Sequence, residues 1–116
     1  LQSNTKEIVD TGLTPPNIRV VGADAALVFD AAGNPAVAYQ DATNLDLLYA
    51  RRLGTTWSTE VLRGAAPNAT TRGLASGFYT AQALRGNTAF VTTLDITFNP
   101  EGELVLNLVV VPKNLE

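Results

Sequence analysis

Four short strand-like runs joined by three turn signals, between Ala25 and Leu62, constrain this chain more than any other feature. Ala25 to Phe29 is continuous and apolar, short enough for a buried strand and too short for a helix. Asp30-Ala31-Ala32-Gly33 breaks it. Asp caps the turn through its side chain and Gly supplies a positive φ. Pro35 to Gln40 returns as a second run, with its proline at the first position, where no ladder donor is needed. Asp41-Ala42-Thr43-Asn44 is the next turn. Leu45 to Leu53 is the third run and turns polar at Arg51-Arg52. Gly54-Thr55 closes the third turn. Thr56 to Leu62 alternates, with Trp57, Thr59 and Val61 on one face.

Two buried strands, a mixed third and an amphipathic fourth describe a sheet covered on its inner side and wetted at its outer edge. A β-propeller blade has that gradient. The remaining segments are consistent with a second, looser copy. Glu7-Ile8-Val9 has the look of a strand, and Thr11 to Asn17, with Pro15-Pro16, that of a loop. Ile18 to Val21 is a short apolar run. Gly64 to Ser76 is a second loop. Phe78 to Leu84 and Thr88 to Phe98 are strand-like, joined by the turn Arg85-Gly86-Asn87. Asn99-Pro100-Glu101-Gly102 has Pro second and Gly fourth, a strong turn signal. Glu103 to Val111 is a long apolar strand expected to stop at Pro112. Leu115-Glu116 is set aside as a tag remnant.

Glu7-Ile8-Val9 over Glu60-Val61-Leu62 sets a repeat shift of 53 residues. The same shift lays Gly33-Asn34-x-Ala36 over Gly86-Asn87-x-Ala89. Asp46 to Tyr49 over Glu103 to Leu106 needs 57. A rival register, Phe29-Asp30-x-x-Gly33 over Phe98-Asn99-x-x-Gly102, needs 69. With strands lettered A to D from the inside out, the expected order over residues 1–116 is D-A-B-C-D-A-B-C, residues 7–53 forming the first set and 57–111 the second. The expected fold is therefore all-β: two four-stranded antiparallel propeller-type blades in permuted order, part of a larger or oligomeric ring. Two blades do not close a ring, and repeat arrays usually need at least three units. The last strand would leave an apolar edge unpaired, which is an aggregation template unless covered. The expected partner is a second copy or a companion fragment, joined through sheet edges.

Bulk composition narrows the chemistry. The chain has 116 residues, 46% of them hydrophobic, and a net charge of −3. That argues against nucleic acid, which is bound largely through Lys and Arg. Cysteine and histidine are absent. Disulfides, thiolate sites, Ser-His-Asp and Cys-His catalysis are thus not available from these residues. No apolar run reaches the roughly 18 residues of a membrane helix. Methionine is absent too, so a processed or excised piece is expected.

The stretch FDAAGNPAVAYQDATNLDLLYARRLGTTWSTE resembles the repeat of bacterial secreted β-propellers, in which D-x-x-G-N-P-x-x-A-Y is followed by Y-A-R and G-x-x-W. It is also distantly similar to the Asp-box repeats of sialidase-like propellers: Gly54, Thr56 and Trp57 fit, while Arg52 stands where that box has Asp. In the second copy only Gly86-Asn87 is kept. The resemblance implies a blade fold and a secreted or cell-surface bacterial setting. It carries no sialidase site across.

The candidate ligand-binding residues are Trp57, Tyr49 and Tyr39, as sugar-stacking aromatics, with Arg51 and Arg52 for an anion or a partner. Packing between blades is the competing role for the aromatics, Tyr79 included. Asp41, Asn44 and Asp46 share a hairpin and offer oxygen ligands to calcium, although turn chemistry accounts for the same residues. Asp30 and Asp95 are the carboxylates to weigh for glycoside hydrolysis, which needs a defined separation. Asn68-Ala69-Thr70 fits the glycosylation pattern. No cofactor is expected. The expected function is a non-enzymatic binding or scaffold segment that takes a glycan or a surface protein. The alternatives are a fragment of a glycoside-processing propeller enzyme and an engineered or evolved propeller fragment.

Overall fold

A computed structural model describes residues 6–116. Its ten strands are β1 (Leu13–Thr14), β2 (Asn17–Ile18), β3 (Val21–Phe29), β4 (Pro35–Asp41), β5 (Asp46–Leu53), β6 (Thr56–Gly64), β7 (Thr71–Arg72), β8 (Ala75–Arg85), β9 (Thr88–Phe98) and β10 (Leu104–Asn114). Among the described residues no helix is long and apolar enough to cross a membrane.

The four runs from Ala25 to Leu62 form one antiparallel meander, β3-β4-β5-β6, with short β7 added in parallel to β6. The turns form as their residues demand. Asp30 Oδ1 accepts the backbone N–H groups of Ala32 and Asn34 at 2.9 and 2.8 Å, and Gly33 has a φ of 85°. A second meander, β8-β9-β10, is a separate three-stranded sheet. Thus the architecture of the described residues is all-β and antiparallel in the main, with sheets of five, three and two strands rather than two of four.

The sheets pack face to face. Ala36, Ala38, Leu47, Tyr49 and Leu62 from the first meet Ala89, Val91 and Val111 from the second. β3 and β8 lie beside one another and run the same way: Tyr79 N donates to Asp24 Oδ2 at 2.8 Å, and Gln82 Nε2 donates to Ala26 O at 2.7 Å. Both strands are bulged there, and both Asp24 and Tyr79 have positive φ. Bulges gather at sheet edges, where they re-aim side chains, and β3 and β8 are edge strands.

The repeat shifts have distinct geometric meanings. A rotational repeat requires equivalent positions to point the same way around the stack. At a shift of 57 this holds: Leu47 and Tyr49 point at the second sheet, while Leu104 and Leu106 point away from the first. At a shift of 53 it fails, because Ala36 and Ala89 both enter the interface. The β4–β9 correspondence is therefore out of phase by one residue.

Three expectations are corrected. Glu7-Ile8-Val9 is not a strand; Val9 packs on the face of the first sheet against the cluster of Tyr39, Leu48 and Ala50. The outer strand expected to open residues 7–53 is therefore missing. Leu27 and Phe29 are 56% and 58% exposed, because β3 is at an edge and its outward face is uncovered; the buried strands are β4 and β5. β10 runs through Pro112, which an edge strand tolerates. Leu115 is buried in the core, and its N–H donates to Asn87 O at 2.7 Å.

Candidate functional site

The five candidate ligand-binding residues fall on two opposite faces of the first sheet. Tyr49 and Arg51 point toward the second sheet. Tyr49 is buried, and its hydroxyl donates to Gln82 Oε1 at 2.9 Å. Burial pushes its phenol up to about 12. Arg51 Nη2 donates to Leu115 O at 2.7 Å and sits 3.7 Å from Asp30 Oδ2. Tyr39, Arg52 and Trp57 occupy the other face. Tyr39 is buried, its hydroxyl donating to Asp10 Oδ2 at 2.8 Å, and burial raises its phenol well above the ordinary range. Trp57 is half-buried, and its indole N–H donates to Glu7 Oε1 at 3.3 Å. Arg52 Nε approaches the same oxygen at 3.1 Å without hydrogen-bond geometry. No shared aromatic platform results. Tyr79 stands elsewhere, 78% exposed on bulged β8.

The hairpin between β4 and β5 builds a polar hollow of about 300 Å³, lined by Asp10, Arg19, Asp41, Asn44, Asp46 and Glu60 among others. Arg19 is its hub and has no local motif to mark it. Its Nη1 donates to Asp41 Oδ2 at 3.0 Å and its Nη2 to Asp10 Oδ1 at 3.3 Å. Asp41 Oδ1 accepts the N–H groups of Thr43 and Asn44 at 3.0 and 3.1 Å, and Asn44 Nδ2 reaches Oδ2 at 3.0 Å. Both oxygens of Asp41 thus serve the turn and Arg19. Among the described residues no group of three or more His, Cys, Asp or Glu side chains could hold a metal ion.

The two buried carboxylates of this hairpin titrate in opposite directions. Burial alone would raise Asp41, but the Arg19 guanidinium and the Asn44 and Thr43 donors outweigh it and hold Asp41 below the ordinary carboxylate range. Asp46 is raised, chiefly by burial and then by the nearby Asp41 charge. A carboxyl with a raised folded pKa binds its proton more readily in the folded state, so its ionisation destabilises the fold as pH rises through that pKa. Asp41 has the reverse sign: its stabilisation is present above the unfolded pKa and is lost as pH falls through the depressed folded value. Asp46→Asn is therefore expected to raise the urea midpoint at pH 7, with the gain vanishing as pH falls below the folded pKa of Asp46. Equal midpoints at pH 7 would show that Asp46 is solvated.

Asp30 and Asp95 are each held by structural partners. Asp30 belongs to the β3–β4 turn. Its carboxyl is held below the ordinary range, first by the Asn34 backbone N–H. Asp95 is 1% exposed and bonded to Arg63, whose Nε lies 2.7 Å from Asp95 Oδ2. Asn68 is exposed in the loop before β7. No family model, curated protein or solved structure matches the chain.

Proposed function

We propose that the chain is a non-enzymatic binding or scaffold module, a segment of a secreted or surface β-propeller of bacterial type that becomes complete when another β-sheet joins it. The observation that carries this reading is the bare outward surface of β8-β9-β10, where Phe98, Leu104, Leu106 and Leu108 are each more than half exposed, beside the free edge of β10. Apolar patches of this kind mark association sites. The parallel run of β3 and β8 and the phase of β5 against β10 support successive units of one repeat. A secreted setting and a glycan or surface-protein ligand rest on the repeat resemblance, with half-buried Trp57 as the ring available for stacking. The carboxylates Asp30 and Asp95 are held by structural partners, which favours binding over hydrolysis.

The test is sedimentation of the chain alone and together with the polypeptides encoded on either side of it. The expected result is a species larger than 12.3 kDa in at least one case. A folded 12.3 kDa monomer in both, at tens of micromolar, overturns the reading.

A further inference from the structure

The outward face of β8-β9-β10 is continuous across its strands. Leu104 pairs with Phe98, Leu106 with Ile96, Leu108 with Leu94 and Val110 with Thr92. The even-numbered residues of β9 and β10 form this face, and none of them is ionisable. Leu108 is 74% exposed, and Phe98, Leu104, Leu106 and Val110 between 56% and 65%. Ordinary monomers carry apolar patches of at most roughly 300–600 Å², and a standard interface takes about 800 Å² from each partner. Five large side chains more than half exposed on one sheet face make an apolar patch of the kind that marks association.

The phase of β5 against β10 points to the cover. On the first sheet, Leu47 and Tyr49 are buried by the second sheet. Their equivalents at a shift of 57, Leu104 and Leu106, have no cover. The surface that would cover them must correspond to the inner face of the second sheet. In a repeat of this phase, that corresponding surface is the outward face of the first sheet. There Leu27 and Phe29 are more than half exposed, with half-buried Val37 beside them, while Tyr39 and Leu48 farther along the same face lie under Val9 and Val21.

We propose that the outward face of β8-β9-β10 docks on the outward face of β3-β4 of a second copy of this chain, head to tail. This rests on the self-association branch of the preceding proposal and replaces edge pairing with face packing as the contact. Such an interface is heterologous: two different surfaces meet, one from each copy.

Complementation tests it by sedimentation. Variant one carries Leu106→Glu and Leu108→Glu; variant two carries Leu27→Glu and Phe29→Glu. All four side chains are exposed in the single chain, so circular dichroism should keep its strand signal. Serine at the same positions replaces glutamate if it does not. The wild type is expected above 12.3 kDa and each variant alone at 12.3 kDa. An equimolar mixture is expected at about twice that mass, since each variant keeps the face the other lacks. Variant two remaining associated by itself overturns the proposal in favour of a symmetric contact, and variant one remaining associated overturns it in favour of edge pairing. Folded variants that stay monomeric on mixing also overturn it. A wild-type chain that is monomeric alone but joins a flanking polypeptide defeats this inference and leaves the broader module reading standing.

Discussion

Arg63→Ala is expected to destabilise the fold by about 3–5 kcal/mol, the usual cost of removing one partner from a buried ion pair. Arg63 on β6 reaches across to Asp95 on β9, with Nε at 2.7 Å and Nη2 at 2.6 Å from the same oxygen. Asp95 is 1% exposed, and its other oxygen has no protein partner. Without Arg63, a carboxylate is left between two sheets with nothing to balance its charge. A domain of this size is stable by only about 5–15 kcal/mol in total, so the loss approaches unfolding. Replacing both residues, as Arg63→Met with Asp95→Leu, should cost far less, because the desolvation of two charges is relieved as their attraction is lost. Urea unfolding measures both. A loss below about 1 kcal/mol for Arg63→Ala would mean that water reaches Asp95 and that the pair behaves like an exposed one.

Tyr49→Ala should cost a similar amount, about 3–5 kcal/mol, through the cavity left between the sheets. Tyr49→Phe isolates the hydroxyl. It leaves Gln82 Oε1 without the donor it meets at 2.9 Å, an expected loss of about 1–3 kcal/mol. Trp57→Ala should be milder than either large truncation, since that ring is half-buried. This ordering bears on any glycan screen. A Tyr49→Ala chain that fails to bind reports lost folding, whereas Trp57→Ala in a folded chain reports on the ligand. If Tyr49→Ala unfolds at the wild-type urea midpoint, the interface between the sheets does not hold the fold together.

The stretch from Ala25 to Leu62 was legible because its signals are local. Asp30, Gly33, Asp41 and Gly54 each determine a turn within a few residues of themselves, and alternation separates the two faces of β6. What alternation does not say is which face meets another sheet. Tyr49 and Trp57 therefore read as one candidate surface and lie on opposite sides. Ile8-Val9 is as apolar as a strand, but it joins no ladder: Val9 covers a sheet face and Ile8 stays exposed. Arg19 and Arg63 find their partners Asp41 and Asp95 at separations of 22 and 32 residues, and no short motif marks either pair. Leu115 sits against the core for the same reason: its contacts with Asn87 and Arg51 are distant in sequence. The β9–β10 hairpin was legible in its turn, where Asn99 Oδ1 accepts the N–H groups of Glu101 and Glu103 at 3.1 and 2.8 Å.

Each antiparallel meander pairs only strands that follow one another along the chain. Pairing of this kind closes short loops and favours rapid folding. On the ribosome, β3 to β6 would be able to assemble before β8 and β9 had been synthesised. At roughly 5–20 residues per second, Leu47 and Tyr49 would then wait a few seconds for their cover. During that interval the nascent chain presents the surface most open to capture by a chaperone or by a neighbouring nascent chain.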